Sequence, residues 1–158
     1  FPVLRPRTFL YPVGSATLGY AVPAALGAKL AHPERQVVAV VGDGGFLFSV
    51  NELATAVKYG LGVVFLVLND QRMGAIKWLQ EALYGRWGEA ELTNPDFPAL
   101  AQAFGLPGQR VERLDDLPQA LDKALAHRGP VLLELPMAID PPWELTSEGA
   151  STAPSRVV

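Results

Sequence analysis

Three apolar blocks punctuate the chain: VVAVV from Val37 to Val41, VVFLVL from Val63 to Leu68, and PVLLEL from Pro130 to Leu135. Runs of this length without polar alternation predict strands buried on both faces. Between them the spacing turns helical. PAALGAKLAH, Pro23 to His32, carries proline in its first turn and small or aliphatic residues after it, which predicts a tightly packed helix. Ser49-Val50-Asn51-Glu52 has the S-x-x-E form of a capping box, and LATAVKY would carry that helix to a stop at Gly60. Two strands joined through such a helix make a right-handed βαβ unit with parallel strands.

The alternation then repeats. Met73 to Tyr84 predicts a helix, GRWGEAELTN a loop, and NPDFPALAQAFG a short helix starting at Asn94 or Asp96 and stopping at Gly105. QRVE predicts a brief strand, and DDLPQALDKALAHRG an amphipathic helix with an Asp N-cap and Gly129 at its end. Strands alternating with helices predict an α/β fold: a doubly wound, mostly parallel sheet with helices on both faces, whose ligands bind at the carboxyl ends of the strands. One domain is expected over residues 1–140. Residues 141–158, rich in Pro, Ser and Thr, predict a C-terminal arm or flexible tail.

Composition narrows the function classes. The 158 residues carry 13 basic and 16 acidic side chains, for a formal charge of −3, with no basic stripe, so nucleic acid is not the expected partner. No apolar run approaches the roughly 20 residues of a bilayer span, and no membrane association is expected. The absence of cysteine excludes disulfides and thiol nucleophiles and fits a cytoplasmic setting. Hydrophobic residues make up 49%, an apolar excess that suggests burial in a homo-oligomer. The chain opens at Phe1, so a piece of a longer protein is the expectation.

Two loops stand at strand carboxyl ends: Gly42-Asp43-Gly44-Gly45 and Asn69-Asp70-Gln71-Arg72-Met73-Gly74. If their strands are neighbours, both project into one crevice of carboxylate, amide and backbone oxygens. Hard donors of this kind suit Mg²⁺ or Ca²⁺, and glycine amides at a helix start favour phosphate. A carboxylate alone repels phosphate, whereas a divalent cation between them reverses the sign, so the combination implies a metal-bridged diphosphate. Neither the dinucleotide fingerprint nor the P-loop fits, because Leu47 replaces the third glycine of G-x-G-x-x-G and no G-K-[ST] occurs.

Gly42-Asp43-Gly44, then 24 residues, then Asn69-Asp70 resembles the metal and diphosphate motif of thiamine-diphosphate-dependent enzymes, in the branch of acetolactate synthases and 2-oxo acid decarboxylases. GSATLGYAVPAALGAKLA, Gly14 to Ala31, resembles the segment preceding that motif, and GAIKWLQEALYGRW with NPDFPALAQAFG resembles acetolactate synthase. The resemblance spans about Pro12 to Leu135 and implies the thiamine-diphosphate-binding fold, with Mg²⁺ and thiamine diphosphate as cofactors and a 2-oxo acid such as pyruvate as substrate. By this resemblance, Asp43 and Asp70 would ligate Mg²⁺ through their side chains and Arg72 through its backbone carbonyl. Gly44, Gly45 and Phe46 would offer amides to the diphosphate, and Gly42, Met73 and Gly74 would line the cofactor. Leu18 would prop it in its bent form, Ala16 would accept from its aminopyrimidine through a backbone carbonyl, and the Leu18 amide would donate to the ring.

The chain departs from the family pattern at three positions: Asp70 stands for a neutral amide, Gly45 for a frequent serine, and Leu79 for the tryptophan linked to acceptor choice, with Trp78 one residue earlier. The glutamate that activates the cofactor in this family has no counterpart here, so a pyrimidine-binding domain or subunit is the implied partner. Glu52 reads as a helix cap. His32 and His127 fall at helix ends and receive no role, and Trp78, Tyr84 and Trp87 suit core or interface packing at least as well as a substrate pocket. A decarboxylase, another carboligase and a noncatalytic cofactor-binding or regulatory domain stand as alternatives to acetolactate synthase.

Overall fold

The computed structural model describes residues 3–138, and the expected arm at 141–158 lies outside them. Strands β1 (Val37–Gly42), β2 (Val63–Asn69), β3 (Gly108–Arg110) and β4 (Val131–Pro136) form one sheet in the order β1-β2-β4-β3. All three pairings are parallel. The helices are α1 (Ala21–Ala31), α2 (Asp43–Leu47), α3 (Glu52–Lys58), α4 (Gly74–Tyr84), α5 (Phe97–Phe104) and α6 (Leu117–Ala126). The α/β architecture expected from the apolar blocks is therefore present.

Alternate residues of the strands feed two cores. On one face Ala39, Val41, Phe65, Val67 and Leu132 meet Val22 and Leu26 of α1, Leu53 of α3 and Phe97 of α5. On the other, Val64, Leu66, Leu133 and Leu135 meet Ala120 and Ala124 of α6. Fully burying each large aliphatic or aromatic side chain contributes about 1.5–3 kcal/mol, so the central strands β2 and β4, covered on both sides, anchor the fold.

β1 corrects an expectation. It alternates rather than being buried throughout: Val38 is 39% and Val40 58% exposed. The reason is position. β1 lies at the sheet edge among the described residues, and α6 packs over β2 and β4, leaving the outer face of β1 uncovered. The apolar positions of α4 share this exposure, since none of its residues is buried, and Tyr84 and Trp87 lie outside the core. Lys77 instead places its ammonium 4.6 Å from the centre of the Trp87 ring.

Helix ends follow local chemistry with two exceptions. Gly60 and Gly105 adopt left-handed φ of 59° and 88°, and the following amides of Leu61 and Leu106 donate back to the carbonyls of Ala56 and Ala101, closing both helices as glycine permits. The capping box does not form. The chain is already turning when it reaches Ser49, whose backbone carbonyl, rather than its hydroxyl, accepts from the Glu52 amide, and the buried Ser49 hydroxyl has no partner. Glu52 is therefore simply the first residue of α3. Likewise a 3₁₀ turn over Leu114–Asp116 precedes α6, so Asp116 enters in helical conformation without capping, and the helix ends at Ala126, ahead of Gly129.

α5 packs directly on β3 at Gly108, where a methyl group would meet Pro98 Cα and O at 2.7 Å and Ala101 Cβ at 2.9 Å. These are backbone and short side-chain atoms that cannot swing away. Gly108→Ala is accordingly expected to cost about 1–3 kcal/mol of stability, the usual range for overpacking. Urea unfolding should show a lower midpoint with an unchanged slope; a midpoint equal to the parent's would contradict this packing.

Candidate functional site

The parallel register brings the two loops together. Gly42 pairs with Leu68, so the next residues, Asp43 and Asn69, leave the same sheet edge side by side. Asp43 opens α2, is 3% exposed, and accepts the Gly44 amide on Oδ1 at 2.8 Å. An acid in the first turn also suits the positive end of the helix. Asn69 ends β2, where its Oδ1 accepts the Gln71 amide at 3.2 Å.

Asp70 lies beside it, buried, with Arg72 Nε 3.3 Å from Asp70 Oδ1 and donating to the Asp70 carbonyl at 3.0 Å. Gln71 takes a left-handed φ of 54°, uncommon for a residue with a side chain, and this turns the loop back. The loop is then pinned by an antiparallel bridge between Arg72 and Glu91, made by Met73 N–H to Ala90 O at 2.7 Å and Leu92 N–H to Gln71 O at 2.8 Å. Both bonds come from the residues flanking Arg72, so the bridge does not use the Arg72 carbonyl.

The residue that joins the loops is Asn94. Its Nδ2 donates to Asp43 Oδ2 at 2.7 Å and to Asn69 Oδ1 at 2.9 Å. The sequence reading offered Asn94 only as a possible cap of α5, a task that Asp96 performs by accepting the Ala99 amide at 2.8 Å. Pro98 in the first turn of α5 already favours Asp96 as the cap, which leaves Asn94 a surplus polar residue in a short loop.

Glu134 was also missed, although an acid inside an apolar strand needs a partner. It is 1% exposed; Oε1 accepts from Asn69 Nδ2 at 2.7 Å and Oε2 from Arg110 Nε at 2.8 Å. The hydrogen bond to Glu134 raises the Arg110 guanidinium above its ordinary range against the opposing effect of burial, with the charges of Glu134, Asp96 and Glu112 adding to the rise.

The expected cofactor residues surround this centre. A methyl group on Gly44 would sit 2.6 Å from Met73 Sδ, and one on Gly45 would be 3.7 Å from Leu18 Cδ2, so Met73 and Leu18 close on α2 from two sides. Leu18 is 46% exposed, and Ala16 before it has a left-handed φ of 44°. A methyl on Gly74, the first residue of α4, would lie 3.1 Å from Asp70 Oδ2. Phe46 is fully buried and edge-on to Phe97, with ring centres 5.7 Å apart; as the fourth residue of α2 its amide falls to the helix itself, which leaves Gly44 and Gly45 in the first turn. His32 and His127 each precede a strand, and so sit at the opposite, amino edge of the sheet.

The donor set fits a hard divalent cation. Asp43 and Asp70 contribute carboxylates and the two asparagines amide oxygens, with no cysteine or histidine, although no group of three or more His, Cys, Asp or Glu among the described residues is placed to hold a metal ion by itself. Asn94 Oδ1 is buried without a hydrogen-bond partner, an oxygen acceptor left over where a bound group could use it. Oxygen-rich sites of this composition match Mg²⁺ and Ca²⁺.

Comparison with known proteins identifies the family of the chain. Residues 1–135 match the family described as thiamine pyrophosphate enzyme, C-terminal TPP binding domain. The chain is 40% identical over 152 residues to the acetolactate synthase isozyme 2 large subunit of Escherichia coli (strain K12), covering 94% of this chain and 28% of that protein. It is 39% identical over 137 residues to the acetolactate synthase of Bacillus subtilis (strain 168), covering 87% of this chain and 24% of that protein. Among solved structures, the thiamine diphosphate-dependent 4-hydroxybenzoylformate decarboxylase of Rhodococcus jostii RHA1 superposes with a TM-score of 0.72 at 36% identity, over 76% of this chain and 23% of that one. The chain thus spans about a quarter of the length of these relatives. It belongs to the thiamine pyrophosphate enzyme family as a C-terminal TPP-binding domain of the acetolactate-synthase-like branch.

Proposed function

We infer that the chain holds Mg²⁺ and the diphosphate of thiamine diphosphate at the carboxyl edge of its sheet, as the C-terminal part or subunit of an acetolactate-synthase-like enzyme acting on 2-oxo acids such as pyruvate. The observation that carries this reading is the bridge from Asn94 to Asp43 and Asn69, which makes one oxygen-lined site of two loops that are separate in the chain. Asp43 and Asp70 hold the cation through their carboxylates, and Arg72 through its backbone carbonyl. Gly45 offers its first-turn amide to phosphate, and the Gly44 amide, which donates to Asp43 Oδ1 in this structure, joins it once the cation engages that carboxylate, while Gly42, Phe46, Met73 and Gly74 shape the loops around it.

Thiamine diphosphate, when bound, supplies the electron sink for breaking or making a bond beside the carbonyl of a 2-oxo acid. The chain's own contribution is binding and orientation. Leu18, reaching toward Gly45, is the apolar prop for the bent cofactor, with the Ala16 carbonyl and the Leu18 amide as its polar contacts to the ring. The Arg72 guanidinium offsets part of the Asp70 charge, which lets an acid stand where the family commonly has a neutral amide. The activating glutamate comes from a pyrimidine-binding domain or subunit, in a homo-oligomeric cytoplasmic enzyme. A decarboxylase is the second reading, favoured by the superposition on a 2-oxo acid decarboxylase; product analysis of the complete enzyme separates acetolactate from free aldehyde.

Calorimetry with thiamine diphosphate and Mg²⁺ is expected to show metal-dependent binding that Asp43→Ala abolishes; unchanged affinity in that variant would refute the metal assignment. The 158-residue chain alone, given pyruvate, Mg²⁺ and thiamine diphosphate, is expected to release no CO₂ above background. Robust turnover would place the activating acid within this chain.

A further inference from the structure

Five side chains around the site form a closed ring of hydrogen bonds. Asn94 Nδ2 donates to Asn69 Oδ1, Asn69 Nδ2 to Glu134 Oε1, Arg110 Nε to Glu134 Oε2, and Arg110 Nη2 to Asp96 Oδ2 at 3.2 Å. The three residues Asn94, Pro95 and Asp96 close the ring through the chain. Three bonds leave it: Asn94 Nδ2 donates to Asp43 Oδ2, Asn69 Oδ1 accepts from the Gln71 amide and Asp96 Oδ1 from the Ala99 amide.

The ring has a direction, which Glu134 sets together with the Gln71 amide that donates to Asn69 Oδ1. Arg110 can only donate, and the ionised Glu134 paired with it can only accept. Asn69 must therefore turn its NH₂ to Glu134 and its oxygen to Asn94. Asn94 must then present NH₂ to that oxygen, and the same NH₂ reaches Asp43. Flipping either amide would set oxygen against oxygen, at Glu134 in one case and at Asp43 and Asn69 in the other. The Asp43 carboxylate thus receives a donor whose orientation is supported from the middle of β4, two residues from the strand's end, as well as by the Gln71 amide.

We propose that Asn94 is a positioning residue for the Mg²⁺ site, holding the Asp43 carboxylate of β1 in register with the β2 loop, and that the buried Glu134–Arg110 pair helps to fix the sense of its hydrogen bonds. This rests on the functional reading above, in which Asp43 is a metal ligand. Neither Asn94 nor Glu134 is assigned to the cation; both act through Asp43 and Asn69. Partners of metal ligands in other proteins typically change affinity about 10–100-fold when removed.

The test titrates Mg²⁺ calorimetrically into the full chain with saturating thiamine diphosphate, comparing the parent with Asn94→Ala and with the near-isosteric Glu134→Gln. Far-UV circular dichroism and urea unfolding identify folded protein. About a tenfold weaker Mg²⁺ Kd at unchanged stoichiometry is expected for Asn94→Ala, with a smaller shift in the same direction for Glu134→Gln. A purely structural role would lower the binding-competent fraction, and hence the stoichiometry, and leave Kd in place. Parent-like Kd in a folded Asn94→Ala protein overturns the inference alone; if that variant does not fold, a parent-like Kd in Glu134→Gln does so. Absence of Mg²⁺-dependent binding in the parent overturns the functional reading together with it.

Discussion

Everything at this site depends on β1 and β2 running parallel in one fixed register. Because Gly42 lies opposite Leu68, the chain leaves both strands at the same level and Asp43 emerges beside Asn69. A shift of one residue would turn every side chain of β1 to the other face, exposing Ala39 and Val41 and burying Val38 and Val40. The apolar core on the α1 and α5 side therefore enforces the alignment that the polar edge requires.

That polar edge is stabilised by charges that compensate one another locally. Two buried acids, Asp70 and Glu134, each have an arginine within reach, Arg72 and Arg110. The Asp43 carboxylate is met by two N–H donors instead, from Gly44 and Asn94. A buried carboxylate served by neutral donors remains the strongest local attraction for a cation, because donors offset its desolvation without cancelling its charge. The departure at Asp70 fits the same logic, since Arg72 from the same loop accompanies the added acid.

Part of the exposed apolar surface lies where the described fold lacks a layer. Val38 and Val40 on the outer face of β1, and Ile76, Leu79 and Leu83 along α4, are all at least 39% exposed. The expectation of a strand buried on both faces failed at β1. Periodicity reports which residues can be buried, whereas cover depends on what the topology lays over them. β2 and β4, at the centre of the sheet, met the same expectation because α5 and α6 flank them.

The strands, the helix stops at Gly60 and Gly105, a start of α5 at Asn94 or Asp96 and the two oxygen-bearing loops were legible in the amino-acid order, because each rests on interactions within a few residues. The capping box at Ser49 failed for the converse reason: a local pattern was overridden by a backbone already turning out of α2. Asn94 and Glu134 escaped notice because their partners lie 24 to 65 residues away, and no local rule connects an asparagine before one helix to an acid inside a distant strand. Local sequence thus determined which chemistry stands at the strand ends. Only the parallel register and the packing of α5 against β3 decided which groups face one another, since hydrogen bonds of about 2.7–3.2 Å are made or lost by displacements far smaller than any sequence pattern resolves.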